Sequence, residues 1–287
     1  MRALVDACQA ILAAAAVEDP RAEATDIVTA LFDVPRSWAT QHASAPVDDL
    51  EWKRATDAAR RRATGMPLQY AVGRAAFRHL TLDVDPRVLI PRPETELLVE
   101  LVLEALGGEA RGGIAVDVGT GSGAIALALA SEGRFDRVIA TDISRDALAV
   151  AARNVTLHRE VLRAVVELRH GSLLAPLRAS GTRARVVVSN PPYIAYGEAL
   201  ALPAAVRDWE PAVALFSADE GMRDTARLVR EAAEVLEPGG MLALEVDARR
   251  ASLAAECVAA TARFGDVRVV LDLAGRERFV VAKRLTD

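Results

Sequence analysis

Residues 186–194, VVVSNPPYI, join an apolar strand pattern to side chains that could bind a polar group. Asn190 can accept a hydrogen bond through its side-chain oxygen and donate through its nitrogen. Pro191 and Pro192 fix the backbone and remove two donors, which leaves nearby carbonyls as acceptors. Tyr193 offers a flat ring for stacking. The combination predicts a site for a planar group bearing an NH2, with two acceptors for its two hydrogens.

A nitrogen held in this way could present its lone pair to a methyl sulfonium. The catalytic gain would come mainly from orientation and proximity. An amide nitrogen is a poor nucleophile, so hydrogen bonds that concentrate electron density on it would help most in the transition state. The alternative is a Pro-Pro turn that only ends a strand.

A glycine-rich segment, IAVDVGTGSGAIALALA at 114–130, supplies a second candidate site. Gly119, Gly121 and Gly123 lie between a strand pattern and a helix pattern, where glycines permit a tight turn and let a ligand approach the backbone. The carboxylate of Asp117 before them disfavours a pyrophosphate and suits a ligand with an ammonium group. S-adenosylmethionine is such a ligand.

The second strand of this region ends in VIATDIS, which places Asp142 about 20 residues beyond the glycines. An acidic side chain there can accept hydrogen bonds from both hydroxyls of a ribose. The alternative is a purely structural turn. Because Asp117 and Asp142 lie in register on successive strands, we favour cofactor binding.

The elements that position these residues follow an alternating strand and helix rhythm after Ile114, which predicts a parallel sheet with crossover helices. The fourth strand lies beside the first in such a sheet, so Asn190 should face the same crevice as the glycine loop. Two closing strands should form a hairpin that adds one antiparallel strand. The predicted strands are near 114–118, 137–141, 165–169, 185–189, 240–246, 267–272 and 278–283; the predicted helices are near 123–132, 145–158, 221–236 and 250–263.

The chain before this sheet has a different pattern of apolar residues. Apolar residues recur at helical spacing as far as about Gly65, which predicts a small helical bundle. An alternating stretch from Phe77 to Val84, with Val88-Leu89-Ile90 after it, predicts a hairpin. Pro93 then opens a helix that we expect to run through Leu106.

Composition excludes several classes of protein. The formal net charge is −5, which argues against tight binding of long nucleic-acid duplexes. No apolar run approaches about 18 residues and no signal peptide is evident, so we expect a cytoplasmic protein without membrane contact. Cys8 and Cys257 lack metal-ligand spacing and are expected to be buried thiols, with no metal site.

Five stretches carry a family resemblance: VEDPRAEA at 17–24, GMPLQYAVGRAAFRHLTLDVDPRVLIPRPETELLVE at 65–100, SNPPYI at 189–194, VRDWEPAVALF at 206–216 and GRERFVVAKR at 275–284. With them the chain resembles the bacterial protein-(glutamine-N5) methyltransferases of peptide chain release factors. The resemblance covers nearly the whole sequence. It implies an α/β fold with a Rossmann-like seven-stranded methyltransferase domain at 113–287, an N-terminal helical substrate-recognition domain at 1–72, and a β-hairpin linker with a connecting helix at 73–112.

The same resemblance implies an activity and its residues. A methyl group would pass from S-adenosyl-L-methionine to the side-chain amide nitrogen of the glutamine in the Gly-Gly-Gln motif of class 1 release factors, leaving S-adenosyl-L-homocysteine. Asn190, Pro191 and Tyr193 would be catalytic, and with Pro192 they would bind the glutamine amide. The expected cofactor-binding residues are Asp117, Gly119, Thr120, Gly121, Ser122, Gly123, Asp142, Leu173 and Asn190.

Two rival functions remain open at this level. A nucleic-acid amino methyltransferase, acting on adenine N6 or guanine N2, would need a basic groove and a flipped base in the Asn-Pro-Pro-Tyr pocket. A non-catalytic partner-binding protein could also keep the fold. The acidic balance and the intact motifs favour a protein methyltransferase that does not bind nucleic acid stably. We also expect a monomer.

Overall fold

The computed structural model describes residues 1–107 and 112–286. Residues 108–111, within the predicted 73–112 segment, and residue 287, the last of the predicted 113–287 domain, lie outside the described residues. The chain divides into two compact units. The first contains Met1–Arg74, Val84–Pro86 and Leu202–Trp209, and the second contains Ala75–Asp83, Arg87–Ala201 and the chain from Glu210 onward.

The first unit is built from helices whose ends are set by polar side chains. Asp19 accepts a hydrogen bond from the backbone N–H of Ala22, and Asp48 forms a reciprocal capping box with Glu51. The apolar faces of these helices pack into one buried cluster that includes Leu4. The helices are α1 (Arg2–Ala14), α2 (Pro20–Phe32), α3 (Arg36–Gln41), α4 (Asp49–Ala63) and α5 (Leu68–Val72).

A short hairpin follows, and it is smaller than the sequence predicted. Strands β1 (Arg74–Phe77) and β2 (Leu80–Asp83) form a two-stranded sheet, whereas residues 88–90 are not a strand. Pro86 and Pro91 bracket those residues and cannot donate to a strand ladder. Val88 and Ile90 are nevertheless buried, so they act as packing residues.

The second unit contains the predicted seven-stranded sheet, which is confirmed. Its strands are β3 (Ile114–Val118), β4 (Arg137–Asp142), β5 (Val165–His170), β6 (Ala184–Ser189), β9 (Leu236–Glu245), β10 (Phe264–Leu271) and β11 (Glu277–Arg284). Their order across the sheet is β10-β11-β9-β6-β3-β4-β5. The strand β11 is antiparallel to both of its neighbours, and the pairs among β9, β6, β3, β4 and β5 are parallel. A separate pair comprises β7 (Ile194–Ala195) and β8 (Phe216–Ser217).

Both faces of the sheet are covered by apolar residues. Along β6, Val186 and Val188 join one buried cluster while Val187 joins the other, as the two-residue period of a strand requires. This double burial explains why the strand reads as a continuous apolar run. The helices of this unit are α6 (Pro93–Leu106), α7 (Ala124–Glu132), α8 (Arg145–His158), α9 (Ala175–Ser180), α11 (Ala212–Leu215), α12 (Arg223–Val235), α13 (Ala251–Ala260) and a 3-10 helix at Tyr196–Ala201, whereas α10 (Ala204–Arg207) belongs to the first unit.

The two cysteines differ in burial. Cys8 is buried and Cys257 is half-buried, so the expectation of two buried thiols is wrong for the second. Neither forms a disulfide. Among residues 1–107 and 112–286, no helix has both the length and the hydropathy needed to cross a membrane.

Candidate active site

One cavity of about 440 Å³ lies in the second unit, where β3, β4, β5 and β6 end. This is the edge at which open parallel sheets bind ligands. The structure brings six of the predicted site residues to the wall of this cavity: Gly119, Gly121, Asp142, Leu173, Asn190 and Pro192. The other predicted residues, which do not line it, are Asp117, Thr120, Ser122, Gly123, Pro191 and Tyr193.

The glycine loop is held against the neighbouring strand. The backbone N–H groups of Gly119 and Thr120 both donate to the carbonyl of Thr141, each at 2.9 Å. Gly119 has a φ of +74° and Gly121 a φ of +54°, a left-handed conformation that glycine adopts at little cost. An added Cβ at either position would meet nothing within 4 Å, so the loop leaves room for a ligand.

Asp142 links the loop to the end of β4. Its Oδ2 accepts from the N–H of Gly121 at 2.9 Å, and its Oδ1 accepts from the N–H of Ser144 at 2.8 Å. Burial raises the pKa of this carboxyl. A carboxylate has about four lone-pair positions, and the N–H of Ile143 also interacts with this one, so room remains for at least one donor from a ligand in the cavity. The group is therefore positioned to accept hydroxyl donors.

Asp117 lies fully buried against the glycine loop and not on the cavity wall. Its Oδ2 accepts from Thr120 Oγ1 at 2.6 Å and from the N–H of Ala126 at 3.0 Å. Among the described residues, none donates to its Oδ1. Burial raises the pKa of Asp117 to about 7. A buried carboxylate oxygen without a partner is costly.

Leu173 supplies apolar surface from the segment after β5. It has a φ of +48°, which non-glycine residues rarely adopt. Its carbonyl accepts from Thr141 Oγ1 at 2.9 Å, which fixes this turn to β4. Leu173 lines the cavity.

Asn190 ends the central strand with a defined set of contacts. Its Nδ2 donates to Thr95 Oγ1 at 3.2 Å, and Thr95 Oγ1 donates in turn to Glu245 Oε2 at 2.7 Å. Asn190 is half-buried, and its hydrogen bond to Thr95 uses Nδ2 and leaves Oδ1 outside that contact. The Asn190 side chain thus has an acceptor available at the cavity wall.

The rest of the motif is more enclosed. Pro191 is buried, and Pro192 and Tyr193 are half-buried. Burial, reinforced by the nearby carboxylate of Glu245, raises the pKa of Tyr193 to about 12. The phenol therefore stays protonated at neutral pH, which suits a stacking or hydrogen-bonding role and not that of a base.

Two pairs of residues at or beside the cavity are not among the predicted site residues. Tyr196 and Phe216 stack with ring centroids 5.5 Å apart, and both line the cavity. Arg92 Nη2 contacts both carboxylate oxygens of Glu210 at 2.6 and 2.7 Å, beside the cavity residues that begin at Pro211. No local pattern reveals these pairs, because their members lie far apart in sequence. A carboxylate such as Glu245 within the apolar strand LALEV was the one available signal, since a buried charge needs a partner.

The chain matches two family models. Residues 3–73 match the PrmC N-terminal domain, and residues 93–205 match the methyltransferase small domain. A crystal structure of a methyltransferase from Pyrococcus furiosus superimposes with a TM-score of 0.52 and 19% identity, covering 74% of this chain and 92% of that one. At that identity the likeness concerns the fold, and it agrees with the sheet described above.

Curated relatives are much closer in sequence. The release factor glutamine methyltransferase of Moorella thermoacetica is 41% identical over 273 residues, covering 95% of this chain and 94% of the relative. That of Gloeobacter violaceus is 43% identical over 222 residues, covering 77% and 76%. The resemblance found in the sequence motifs is thus confirmed. This chain belongs to the release factor glutamine methyltransferase family.

Proposed function

We propose that this protein transfers a methyl group from S-adenosyl-L-methionine to the side-chain amide nitrogen of the glutamine in the Gly-Gly-Gln motif of class 1 peptide chain release factors. An N–CH3 bond forms, the S–CH3 bond breaks, the amide loses one proton to solvent, and S-adenosyl-L-homocysteine is released. The main support for this proposal is the position of Asn190, which lines the cavity with the glycine loop and Asp142 and uses only its Nδ2 in the bond to Thr95. Its Oδ1 can therefore accept a hydrogen bond from the substrate amide. Family membership supports the glutamine as the acceptor.

The residues around the cavity fit this cofactor. The loop of Gly119 and Gly121 leaves its backbone open to a ligand, and Asp142 retains room for at least one ribose hydroxyl. Leu173 offers an apolar surface for a base. Asp117 lies behind the glycine loop, and its Thr120 and Ala126 contacts would act on the cofactor only by holding that loop. When bound, the cofactor supplies an electrophilic methyl group. We assign Thr120, Ser122 and Gly123 to the same loop in a supporting role.

The protein's own contribution is to hold the amide nitrogen. The Asn190 Oδ1 and the Pro191 carbonyl would accept the two N–H hydrogens, and Tyr193 would stack on the amide plane with Pro192 beside it. Two acceptors orient the nitrogen and raise its electron density, so their effect is greatest as the new bond forms. None of these residues needs to act as a strong base, because the amide proton becomes acidic only as the nitrogen is methylated.

The proposed substrate assigns a role to each of the three predicted segments of the chain. We propose that residues 1–72 recognise the release factor, that 73–112 connect, and that 113–287 hold the cofactor and the glutamine. Translation termination occurs in the cytoplasm, so we place the protein there. We also propose that the protein is a monomer.

The test is transfer of labelled methyl from S-adenosyl-L-methionine to a purified release factor. We expect labelling of the intact factor and none when its Gly-Gly-Gln glutamine is replaced by alanine. Asn190→Ala should abolish transfer while the dissociation constant for the cofactor changes only modestly. Label on DNA or ribosomal RNA, with none on the release factor, would overturn the proposed substrate.

A further inference from the structure

Three side chains from distant parts of the chain form one hydrogen-bonded series. Glu245 ends β9, Thr95 lies in the first turn of α6, and Asn190 follows β6. The distances are 2.7 Å from Thr95 Oγ1 to Glu245 Oε2 and 3.2 Å from Asn190 Nδ2 to Thr95 Oγ1. Thr95 and Glu245 are 5% and 2% exposed, so water cannot easily replace either partner. The series therefore behaves as a closed unit behind Asn190.

The number of protons in this series decides which end of the Asn190 amide faces the cavity. An ionised carboxylate can only accept, so the one hydroxyl proton of Thr95 must go to Glu245. Thr95 Oγ1 then offers Asn190 nothing but lone pairs, and only the Nδ2 end of the amide can satisfy them. The Asn190 Oδ1 is consequently turned away from Thr95.

We propose that Thr95 and Glu245 are positioning residues, which keep the Asn190 amide in the one orientation that offers an acceptor to the substrate. The inference rests on the proposed function, in which that acceptor binds the glutamine amide. A protonated Glu245 can donate to Thr95, and Thr95 can then donate to the amide oxygen. That arrangement favours the flipped amide, which presents Nδ2 to a substrate N–H and cannot bind it.

Burial and the charged groups around Glu245 set the pH range in which this carboxyl ionises. Burial raises the pKa of Glu245 to about 7, and the carboxylate of Glu94 adds to the shift. The hydrogen bond from Thr95 opposes the shift, as do the guanidinium groups of Arg278 and Arg92. The phenol of Tyr193 also senses Glu245 but stays protonated in this range. The Asn190 amide should therefore be reoriented as the pH falls below neutrality.

The sequence provides an internal control, because it contains only two asparagines, Asn154 and Asn190. The Asn154 amide is oriented entirely by backbone groups. Its Nδ2 donates to the carbonyls of Asp83 and Ser122 at 2.9 and 2.8 Å, and its Oδ1 accepts from the N–H of Asp83 at 2.7 Å. None of these partners titrates, so the orientation of Asn154 should not depend on pH.

The first experiment needs no substrate. Protein labelled with ¹⁵N at asparagine gives two side-chain NH2 signals, and Asn190→Ser identifies which belongs to Asn190. We expect the Asn190 Nδ2 signal to shift with a midpoint near pH 7, the Asn154 signal to stay constant, and Glu245→Gln to remove the shift. The proposal would be overturned if the Asn190 signal did not depend on pH in the wild type. It would also be overturned if the signal shifted with pH in Glu245→Gln as it does in the wild type.

The second experiment measures turnover. Thr95→Val removes the hydroxyl and keeps the shape, so kcat should fall at least about tenfold. Thr95→Ser restores the hydroxyl and should recover most of that loss, and an unchanged Asn154 signal would show that both variants are folded. Equal kcat values in the valine and wild-type proteins would contradict the positioning role. Failure of the wild type to methylate any release factor would count against the proposed function, whereas the NMR titration would still test the orientation of Asn190.

Discussion

Gly221 packs directly against the carbonyl group of Tyr193. A Cβ on residue 221 would lie 2.1 Å from that oxygen and 2.6 Å from Arg250 Nε. The glycine also has a φ of +86°, in the left-handed region. The backbone of the Asn-Pro-Pro-Tyr motif is therefore supported from behind by a residue that must have no side chain.

Gly221→Ala should displace Tyr193, because the carbonyl oxygen belongs to the backbone and cannot rotate away as a flexible side chain could. We expect methyl transfer to fall at least about tenfold and the free energy of unfolding to fall by about 1–3 kcal/mol. Gly239→Ala is the matched control, since Gly239 has a φ of +79° but no atom within 4 Å of its Cβ position. Denaturant unfolding and the labelled-methyl assay on both variants separate crowding from backbone strain. Full activity in Gly221→Ala would show that the motif tolerates this shift.

Asp142→Asn should weaken binding of S-adenosyl-L-homocysteine by about tenfold to a hundredfold, because an amide oxygen cannot replace two carboxylate oxygens that already accept backbone N–H groups. Isothermal titration calorimetry measures the change. Asp136→Asn is the control, because Asp136 also accepts from a glycine N–H, at 2.7 Å, but lies before β4 instead of at its end. If both variants bound S-adenosyl-L-homocysteine equally weakly, Asp142 would have no specific role in binding it.

Removing one partner of the ion pair between Arg92 and Glu210 should cost far more stability than removing one partner of a surface pair. The Glu210 side chain is 1% exposed, and burial raises its pKa while Arg92 lowers it. Arg92→Ala leaves that carboxylate buried without its partner, so we expect a loss of about 3 kcal/mol or more. The double variant Arg92→Ala with Glu210→Ala should lose less than the sum of the two single variants.

The control for this pair is the exposed contact of Arg207 with Asp208, whose side chains are 37% and 51% exposed. Arg207→Ala should change the free energy of unfolding by no more than about 0.5 kcal/mol. Additive losses in the Arg92 and Glu210 variants would mean that the two residues are not coupled.

Two buried carboxyls should make the ligand-free protein less stable as the pH rises. Burial raises the pKa of Asp117 and of Glu245 to about 7 in the folded state, above the ordinary value of each group. The folded protein then binds more protons than the unfolded chain between roughly pH 4 and 7, so the free energy of unfolding falls across this interval as the pH increases.

Urea unfolding from pH 5 to pH 8 measures this slope. Asp117→Asn and Glu245→Gln each remove one of the two ionisations, so each should flatten the slope and the double variant should flatten it most. A wild-type protein whose stability rises steadily over this range would contradict the shifted pKa values.

Local patterns were enough to predict the sheet and its ligand-binding edge. The period-two burial of Val186 to Val188 and the glycines after β3 are properties of neighbouring residues, and the topology rules for parallel sheets then place Asn190 near Asp142. The identity of the substrate was predicted only from the resemblance of the family motifs. The hairpin was over-extended because apolar residues such as Val88 pack in the core without pairing as a strand.

The side-chain contacts that orient the site residues could not be predicted from local sequence patterns, because they join residues far apart in the chain. Thr95 and Glu245 are 150 positions apart, and Tyr196 and Phe216 meet beside the small β7–β8 pair. The side chain of Asp117 also turned out to face the start of α7, where Ala126 donates to it, instead of the cavity. Its role in binding the cofactor stays a prediction.

The position of β6 within the sheet has a consequence for how the protein loses activity. This strand has a parallel neighbour on each side, β3 and β9, so its backbone amides should exchange with solvent deuterium only when the whole unit unfolds. Asn190 directly follows the strand and should not be released by fraying of the sheet edges. On heating, we expect inactivation to coincide with cooperative melting of this unit and not to precede it.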